Sequence, residues 1–196
     1  MGKLRVLELF SGIGAASKAL ENLGVEHEIV DAVEIDKYAI KAFNAIHGTN
    51  FEPQDITKWD KDIGVDLIIH GSPCQDLSVA GKRAGLDGER SGLFMEQIRV
   101  IKEMRDEDRR NGRTDVFVRP RYMVWENVYG ALSSGKPKGA DFQIVLTEIV
   151  KIVKADADDV PLPKDGRWAK AGILYGVGDD GQPFSVAWRL HDAQWW

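Results

Sequence analysis

The sequence contains a single cysteine, Cys74, among its 196 residues. One thiol cannot form an internal disulfide, so a secreted scaffold held together by disulfides is excluded. No apolar run approaches the roughly 18 residues that a membrane span requires, and the first residues, MGKLRVLELF, lack the long apolar core of a signal peptide. We therefore predict a cytoplasmic protein that has no membrane partner.

Positive charge is also scarce. The chain has 26 Lys and Arg residues against 31 Asp and Glu residues, and its formal net charge is −5. This balance argues against a protein that coats nucleic acid by bulk charge. Residues 82–121 are the exception, because 11 basic and 8 acidic side chains give them a net charge of +3. Two interpretations stay open for the part after Arg99: a phosphate-facing patch or a solvated helix of mixed charge.

Internal repeats and low-complexity tracts are absent, and predicted strands alternate with predicted helices. This alternation predicts one α/β domain with a mostly parallel sheet and helices on both faces. Residues 105–121 and 155–166 are expected to be irregular. Apolar patterns predict strands over Leu4–Leu9, Ile29–Ile35, Asp66–His70, Tyr122–Trp125 and Val186–Leu190, and helices near Ala16–Leu23, Ala39–Ile46, Phe94–Ile101 and Phe142–Val153.

Four groups of candidate residues lie at or just past the end of a predicted strand. They are residues 10–14, Glu34, Cys74 and Glu126. In parallel α/β sheets, ligands bind beyond the carboxyl ends of the strands. The sequence therefore predicts that these residues converge on one crevice.

The first group is FSGIG, Phe10–Gly14, between the first strand and the first helix. Glycines let a ligand approach the backbone closely, and a helix N-terminus favours an anion. Glu34 follows Gly12 by 22 positions, and an acidic residue about 20 positions on hydrogen-bonds ribose hydroxyls in dinucleotide-binding proteins. Together these residues favour a nucleoside-containing cofactor, although a tight turn and a solvated carboxylate would give the same pattern.

Cys74 lies in the segment GSPCQ, where a proline precedes it at a strand end. A thiolate in such a position can act as a nucleophile. No histidine is close enough in sequence for a familiar Cys–His pair, and His70 is interpreted as a packed strand residue. Glu126 and Asn127 follow the next strand, where a carboxyl group in a partly closed crevice can act as an acid. No metal site is predicted.

These motifs resemble, in order along the chain, those of the DNA cytosine-5 methyltransferases of bacteria and phages. FSGIG resembles the cofactor loop, Glu34 in VEIDKYA the ribose-binding position, and GSPCQDLSVAGKRAGL the motif whose Pro-Cys holds the nucleophile. Asp55-Ile56 resembles the adenine-contacting motif, SGLF the motif that places Leu93 against the cofactor, and ENV (126–128) the sixth motif. The resemblance implies a Rossmann-like S-adenosylmethionine-dependent methyltransferase fold that lacks its last strand.

The resemblance also implies a cofactor, a substrate and residue roles. S-adenosyl-L-methionine would donate the methyl group, and a cytosine flipped out of double-stranded DNA would accept it at C5. The Cys74 thiolate would add to C6 while Glu126 holds N3. The implied catalytic residues are Pro73, Cys74, Glu126 and Asn127; the implied cofactor-binding residues are Phe10, Ser11, Gly12, Ile13, Gly14, Glu34, Ile35, Asp55, Ile56, Pro73 and Leu93; the implied DNA-binding residues are Gln75, Ser78, Lys82 and Arg83.

The sequence departs from the family towards its end. The arginine-bearing motif that contacts the flipped base, the target recognition region and the final helix are not found, so residues 1–196 are interpreted as a C-terminally incomplete catalytic domain. We expect the isolated chain to bind S-adenosylmethionine weakly. A second polypeptide that carries the recognition region is a possible partner.

Three hypotheses about function stay open. The first is the N-terminal part of a DNA cytosine-5 methyltransferase, truncated or encoded as one of two chains, that serves restriction-modification or phage self-protection. The second is an inactive S-adenosylmethionine-binding module, and the third is a nicotinamide-dependent oxidoreductase on a similar fold. Because a relative that methylates transfer RNA shares the motif set, an RNA substrate is a further alternative.

Overall fold

The computed structural model describes residues 2–72, 92–114 and 117–192. The described residues form two compact units, one made of residues 2–72 with 93–127 and the other of residues 128–192. The helices and strands of the first unit are β1 (Leu4–Leu9), α1 (Ala15–Asn22), β2 (His27–Val33), α2 (Lys37–His47), β3 (Leu67–His70), α3 (Leu93–Arg110) and β4 (Tyr122–Trp125). A short 3-10 helix, Ile56–Lys58, precedes β3.

The first unit is built on a parallel sheet with strand order β2-β1-β3-β4. Its central strands are apolar runs that are fully buried, as Val6, Leu7 and Ile68 show. Burial on both faces is typical of parallel strands covered by helices. The predicted mostly parallel α/β architecture is confirmed.

Local signals in the sequence account for the helix ends. Asp36 begins α2 as its N-cap, and its carboxylate accepts hydrogen bonds from the backbone N–H groups of Tyr38 and Ala39. Gly48 ends the helix in the left-handed conformation. Ile40 and Phe43 of α2 pack against Ala32 of β2 to form part of the core.

A buried carboxylate, Asp31, ties β2 to the segment before β3. It accepts hydrogen bonds from Gln54 at 2.8 Å, Trp59 at 2.9 Å and Lys61 at 2.7 Å. Burial opposes ionisation of Asp31, but these three donors outweigh it and hold the pKa of the carboxyl below its ordinary value. The network stabilises the charged form inside the unit.

The expectation that residues 105–121 are irregular is wrong for its first part. α3 continues to Arg110, and the chain turns only at Asn111-Gly112. Salt bridges one turn apart, Arg109 with Asp106 at 2.9 Å and Arg110 with Glu107, support the last turns. Charge density, which suggested a loop, here stabilises a helix.

The second unit holds α4 (Ala140–Val150), β5 (Ala171–Val177), β6 (Pro183–Arg189) and a 3-10 helix, Tyr129–Leu132. The predicted strand Val186–Leu190 corresponds to β6, but its partner β5 was missed, and the pair is an antiparallel hairpin separate from the parallel sheet. The missed signal is the turn GDDGQ, where Gly178 donates to the carbonyl of Gln182 at 2.9 Å. Residues 155–166 form a loop, as predicted.

An aromatic cluster holds the second unit together. Phe142 of α4 meets Trp168 at 5.3 Å and Trp188 at 5.9 Å between ring centroids, both in edge-on geometry. The indole N–H groups of the two tryptophans donate to the carbonyls of Gly139 and Ala169. The cluster therefore packs the hairpin and the loop before it onto α4.

Candidate active site

The register of the parallel sheet aligns the carboxyl ends of all four strands. One row across the sheet contains Val33, Leu9, His70 and Trp125. The residues that follow this row, and so leave the sheet at the same edge, are Glu34, Phe10, Gly71 and Glu126. This is the convergence that the sequence predicted for residues 10–14, Glu34 and Glu126. Cys74 lies outside the described residues.

The loop Phe10–Gly14 between β1 and α1 has a tight turn. Phe10, Gly12 and Gly14 have φ values of 55°, 53° and 84°, in the left-handed region. Gly14 has no room for a side chain, because an added Cβ would lie 2.7 Å from Phe43 and closer still to the ring of His47. The loop therefore sits directly on α2, where His47 Nε2 is 3.0 Å from the carbonyl oxygen of Gly14.

Glu34 connects the end of β2 to this loop. Its carboxylate oxygens accept from the backbone N–H of Gly12 at 3.0 Å and from that of Asp36 at 2.8 Å. The carbonyl oxygen of Glu34 accepts from Gln54 N–H at 2.8 Å, which brings the segment before Asp55 alongside. Each carboxylate oxygen keeps acceptor capacity for a further donor, such as a ribose hydroxyl.

Asp55 and Ile56 begin the 3-10 helix after β2 and α2. Asp55 Oδ1 accepts from the hydroxyl of Thr57 at 2.8 Å and from its N–H at 3.0 Å, and these bonds lower the pKa of Asp55. Ile56 is buried, and Arg99 of α3 donates to its carbonyl at 2.9 Å. Hydrogen bonds from Thr57 and from Arg99 therefore fix the start of this 3-10 helix.

The other predicted cofactor residues differ in exposure. Ile13 and Ile35 are 55% and 71% exposed, an unusual state for isoleucine beside a glycine loop. Leu93 is the first residue of α3 and is half-buried. Ser11 carries a buried hydroxyl without a hydrogen-bond partner among the described residues.

Hydrogen bonds connect the residues at the carboxyl ends of β3 and β4. Glu126 N–H donates to the carbonyl of His70 at 2.9 Å, and a Cβ built on Gly71 would lie 3.4 Å from Glu126 Oε2. The side-chain amide of Asn127 donates to the carbonyl of Ser72 at 2.9 Å. Glu126 and Asn127 are therefore beside the backbone that leads to Cys74. The predicted residues outside the described ranges are Pro73, Cys74, Gln75, Ser78, Lys82 and Arg83.

Sequence reasoning missed a buried pair beneath the glycine loop. Glu8 of β1 is 3% exposed and accepts from the backbone N–H of Ser17 at 2.9 Å and from its hydroxyl. Burial raises the pKa of Glu8, and the two bonds from Ser17 partly offset the rise. The available signal was an acidic residue inside the apolar run LRVLEL. The pair fixes the first turn of α1 to the sheet.

His70 is a packed strand residue, as predicted. It is 1% exposed, and its Nδ1 lies 2.5 Å from the side-chain oxygen of Gln97 on α3. Burial lowers the pKa of His70 to about 4, since the folded protein has little water to solvate an imidazolium. The histidine is therefore neutral in the folded protein at pH 7.

This shift gives the stability of the chain a pH dependence. Because the pKa of His70 is lowered on folding, its contribution is fully present above the ordinary pKa of 6.5 and is lost as the pH falls towards 4. The difference corresponds to about 3 kcal/mol of unfolding free energy. Urea unfolding between pH 4 and 7.5 should show a clearly shallower dependence for His70→Asn than for the unmodified chain. His191→Gln serves as the control, and an equal slope in His70→Asn would contradict the assignment.

The arginines after residue 99 are largely paired within the described residues. Arg99 bonds to Glu96 at 2.7 Å and to Glu103 at 2.6 Å, and Arg113 bonds to Asp108 at 3.0 Å. Arg105 is buried and donates to the carbonyls of Val118 and Pro120. Of the two interpretations of this stretch, the pairing favours a helix of mixed charge.

The described residues contain no group of three or more His, Cys, Asp or Glu side chains that could hold a metal ion. None of their helices combines the length and apolar character that a membrane crossing demands.

The arrangement defines a class of protein. A parallel sheet whose first strand ends in a glycine loop, with an acidic residue at the end of the second strand bonded to that loop, is typical of the Rossmann-like fold.

The comparisons with known proteins give the family. The sequence profile of the C-5 cytosine-specific DNA methylase family matches residues 4–152, and the chain belongs to that family. The resemblance found in the motifs is confirmed, and the nicotinamide-dependent alternative is set aside.

Two individual relatives are both methyltransferases, but their names differ. An orphan methyltransferase of Bacillus phage rho11s, M.Rho11sI, is 45% identical over 140 residues, which are 69% of this chain and 25% of the relative. A protein of Escherichia phage P1 named DNA N-6-adenine-methyltransferase is 30% identical over 210 residues, covering 94% of this chain and 26% of the relative. This chain therefore spans about a quarter of the length of these two relatives.

A solved structure supports the fold. The Dnmt2 methyltransferase of S. pombe aligns with a TM-score of 0.55 and 23% sequence identity, over 89% of this chain and 45% of that chain. At this identity the likeness carries the fold alone, which is that of a methyltransferase domain.

Proposed function

We propose that this chain is the cofactor- and nucleophile-bearing part of a DNA cytosine-5 methyltransferase, which transfers a methyl group from S-adenosylmethionine to C5 of a flipped cytosine. The observation that carries the proposal is the row of strand ends that places Glu34 on the Phe10–Gly14 loop and Glu126 beside Gly71. Cys74 follows Gly71 by three positions in the sequence. Glu34, which we assign to the cofactor, and Glu126, which we assign to the substrate, therefore both lie at the same edge of one sheet.

The residues at the loop fit a nucleoside. Glu34 and Asp55 are acceptors, as a ribose diol and an adenine amino group require, and a Cβ on Gly12 would meet open space. The exposed Ile13 and Ile35 add an apolar contact surface. S-Adenosylmethionine, when bound, supplies a methyl group activated by its sulfonium.

The proposed chemistry on the substrate side uses three side chains. The Cys74 thiolate forms a bond to C6 of the cytosine, which makes C5 nucleophilic enough to accept a methyl group. Glu126 holds N3 and offsets the charge that develops there. A water molecule then accepts the C5 proton, the electron pair of the C5–H bond restores the C5=C6 double bond, and Cys74 leaves C6 as a thiolate. Asn127 holds the Ser72 carbonyl and so positions the backbone before the nucleophile.

The proposed setting is double-stranded DNA of a phage or of a bacterial restriction-modification system, with Gln75, Ser78, Lys82 and Arg83 on the DNA side. The relative from phage rho11s is named an orphan methyltransferase, and this name favours phage self-protection. Because the chain spans about a quarter of that relative, we propose that target recognition comes from further chain or from a second polypeptide.

A second candidate reaction is methylation of adenine at N6. It is favoured by the name of the phage P1 relative, whose alignment covers 94% of this chain. N6 is an exocyclic amine and needs no covalent activation of the ring. That reaction gives Cys74 no task, whereas C5 methylation uses both Cys74 and Glu126. We therefore favour cytosine.

The test is nucleoside mass spectrometry of double-stranded DNA of mixed sequence and, in parallel, of transfer RNA, each after incubation with S-adenosylmethionine. Two proteins are assayed: this chain, and M.Rho11sI with residues 4–152 of this chain in place of its matching segment. We expect 5-methyl-2′-deoxycytidine from at least one of them. The proposal fails if N6-methyladenine is the product, if transfer RNA but not DNA is methylated, or if both folded proteins are inactive while M.Rho11sI is active.

A further inference from the structure

Most exposed charges of the second unit fall into two groups, although its total charge is close to neutral. Six exposed cations, here called the basic patch, lie on three segments: Lys136, Lys138, Lys164, Arg167, Lys170 and Arg189. Five exposed carboxylates lie on two other segments: Asp156, Asp158, Asp159, Asp179 and Asp180. Two further exposed carboxylates, Asp165 and Asp192, lie within or close to the segments of the first group.

Backbone contacts bring the three segments of the basic patch together. Trp168 donates to the carbonyl of Gly139 at 2.9 Å, and a Cβ on Gly139 would lie 2.7 Å from the carbonyl oxygen of Gly166. Glycine at both positions therefore allows residues 136–139 to lie directly against residues 164–168. The patch continues into the hairpin, because Leu190 N–H donates to the carbonyl of Lys170 at 2.7 Å.

The hairpin separates the two charge groups. Arg189 pairs with Ala171 at the open end, next to Lys170, whereas Asp179 and Asp180 form the turn at the other end. A seven-residue strand spans about 20 Å, which exceeds the screening length of about 8 Å at physiological ionic strength. The acidic end therefore does little to neutralise the patch.

The patch cations differ in pairing from the other cations of the second unit. Within the described residues, none of the six forms a salt bridge, whereas Lys151 and Lys154 each pair with a carboxylate. Asp165 is the one carboxylate inside the patch segments, and its Oδ1 accepts from the backbone N–H of Arg167 at 3.1 Å. Like charges gathered without partners repel one another, so such a surface is typical of a polyanion site.

We propose that the basic patch binds the phosphodiester backbone of double-stranded DNA and so holds the duplex independently of its sequence. This inference rests on the proposed function for the choice of DNA as the polyanion. Lys and Arg contacts to phosphates position a protein on a duplex and release counterions, which makes the affinity strongly dependent on salt. Recognition of the target base stays with other parts of the protein.

The test measures binding of a fluorescein-labelled 20-base-pair DNA duplex by anisotropy over a range of KCl concentrations, without cofactor. A fluorescein-labelled RNA hairpin is measured under the same conditions. The patch variant is Lys136→Gln/Lys138→Gln/Arg167→Gln. The control, Lys18→Gln/Lys151→Gln/Lys154→Gln, removes the same number of positive charges from paired positions. Circular dichroism confirms that both variants are folded.

We expect the patch variant to lose at least about tenfold in affinity at 100 mM KCl and its log Kd against log[KCl] slope to fall by about 2 to 3, since each phosphate contact contributes about 0.9. The control should change either quantity much less. Equal losses in both variants, no loss in the patch variant, no duplex binding by the unmodified chain at low salt, or preference for an RNA hairpin would each overturn the proposal. Failure of this proposal can be distinguished from failure of the proposed function, because the latter is measured as the absence of 5-methylcytosine in the methylation assay.

Discussion

Methyl transfer by any active protein that contains this chain should fall at least about a thousandfold when Cys74 is changed to serine. A serine hydroxyl stays protonated near neutral pH, whereas a thiol supplies a thiolate, which is the stronger nucleophile. Without addition at C6, cytosine C5 is too weak a nucleophile to take a methyl group. The measurement is the initial rate of 5-methylcytosine formation in duplex DNA, followed by mass spectrometry.

Two further readouts separate loss of the nucleophile from loss of the fold. Calorimetry should give the same affinity for S-adenosylmethionine before and after Cys74→Ser. In the presence of S-adenosylmethionine, DNA that contains 5-fluorocytosine should form a complex stable to denaturation with the unmodified protein but not with Cys74→Ser. After methyl transfer, fluorine cannot leave C5 as a proton does, so the Cys74–C6 bond persists. Retained methyl transfer in Cys74→Ser would remove Cys74 from the mechanism.

Gly14→Ala should cost about 3 to 4 kcal/mol of unfolding free energy and weaken the binding of S-adenosylmethionine. Left-handed backbone, φ 84° here, costs about 1–2 kcal/mol for a residue with a Cβ. Overpacking a core costs about 1–3 kcal/mol more, and the new methyl group would press on His47 and Phe43. Relief of the backbone strain and of the steric clash would each displace the loop to which Glu34 is bonded. Urea unfolding and calorimetry measure the two effects.

The chain offers a matched control for the steric part of this effect. Gly48 is also left-handed, with φ 66°, but a Cβ there would meet nothing within 4 Å. Gly48→Ala should therefore cost only about 1 kcal/mol, from backbone strain alone. Equal destabilisation by the two substitutions would show that the contact of Gly14 with α2 carries no energy.

Several elements of the first unit could be predicted from sequence because their signals are local. β1 and β4 have the predicted bounds, and α2 covers the predicted Ala39–Ile46. An apolar run, a capping carboxylate and a left-handed glycine each act within a few residues. The order of the motifs led from there to the family, which the comparison over residues 4–152 confirms.

Other features depended on contacts between distant segments. The antiparallel partner of β6 was missed, because alternation of strands and helices says nothing about a strand that pairs outside the main sheet. The sequence left open whether the arginines in and after α3 face phosphate, but in the fold Arg99 and Arg113 are paired with carboxylates. Whether a cation is free depends on what the fold places beside it.

The sequence by itself determined the kind of fold and the candidate chemistry, since Phe10–Gly14, Glu34, Cys74 and Glu126 occur at strand ends in a fixed order. Only the tertiary structure decided which groups meet. It joined Glu34 to Gly12, which is 22 positions away, at 3.0 Å, and placed Glu126 beside Gly71. The physical reason is range: propensity, capping and periodicity act over one or two turns of chain, whereas strand register and packing set the distances between segments far apart in the chain.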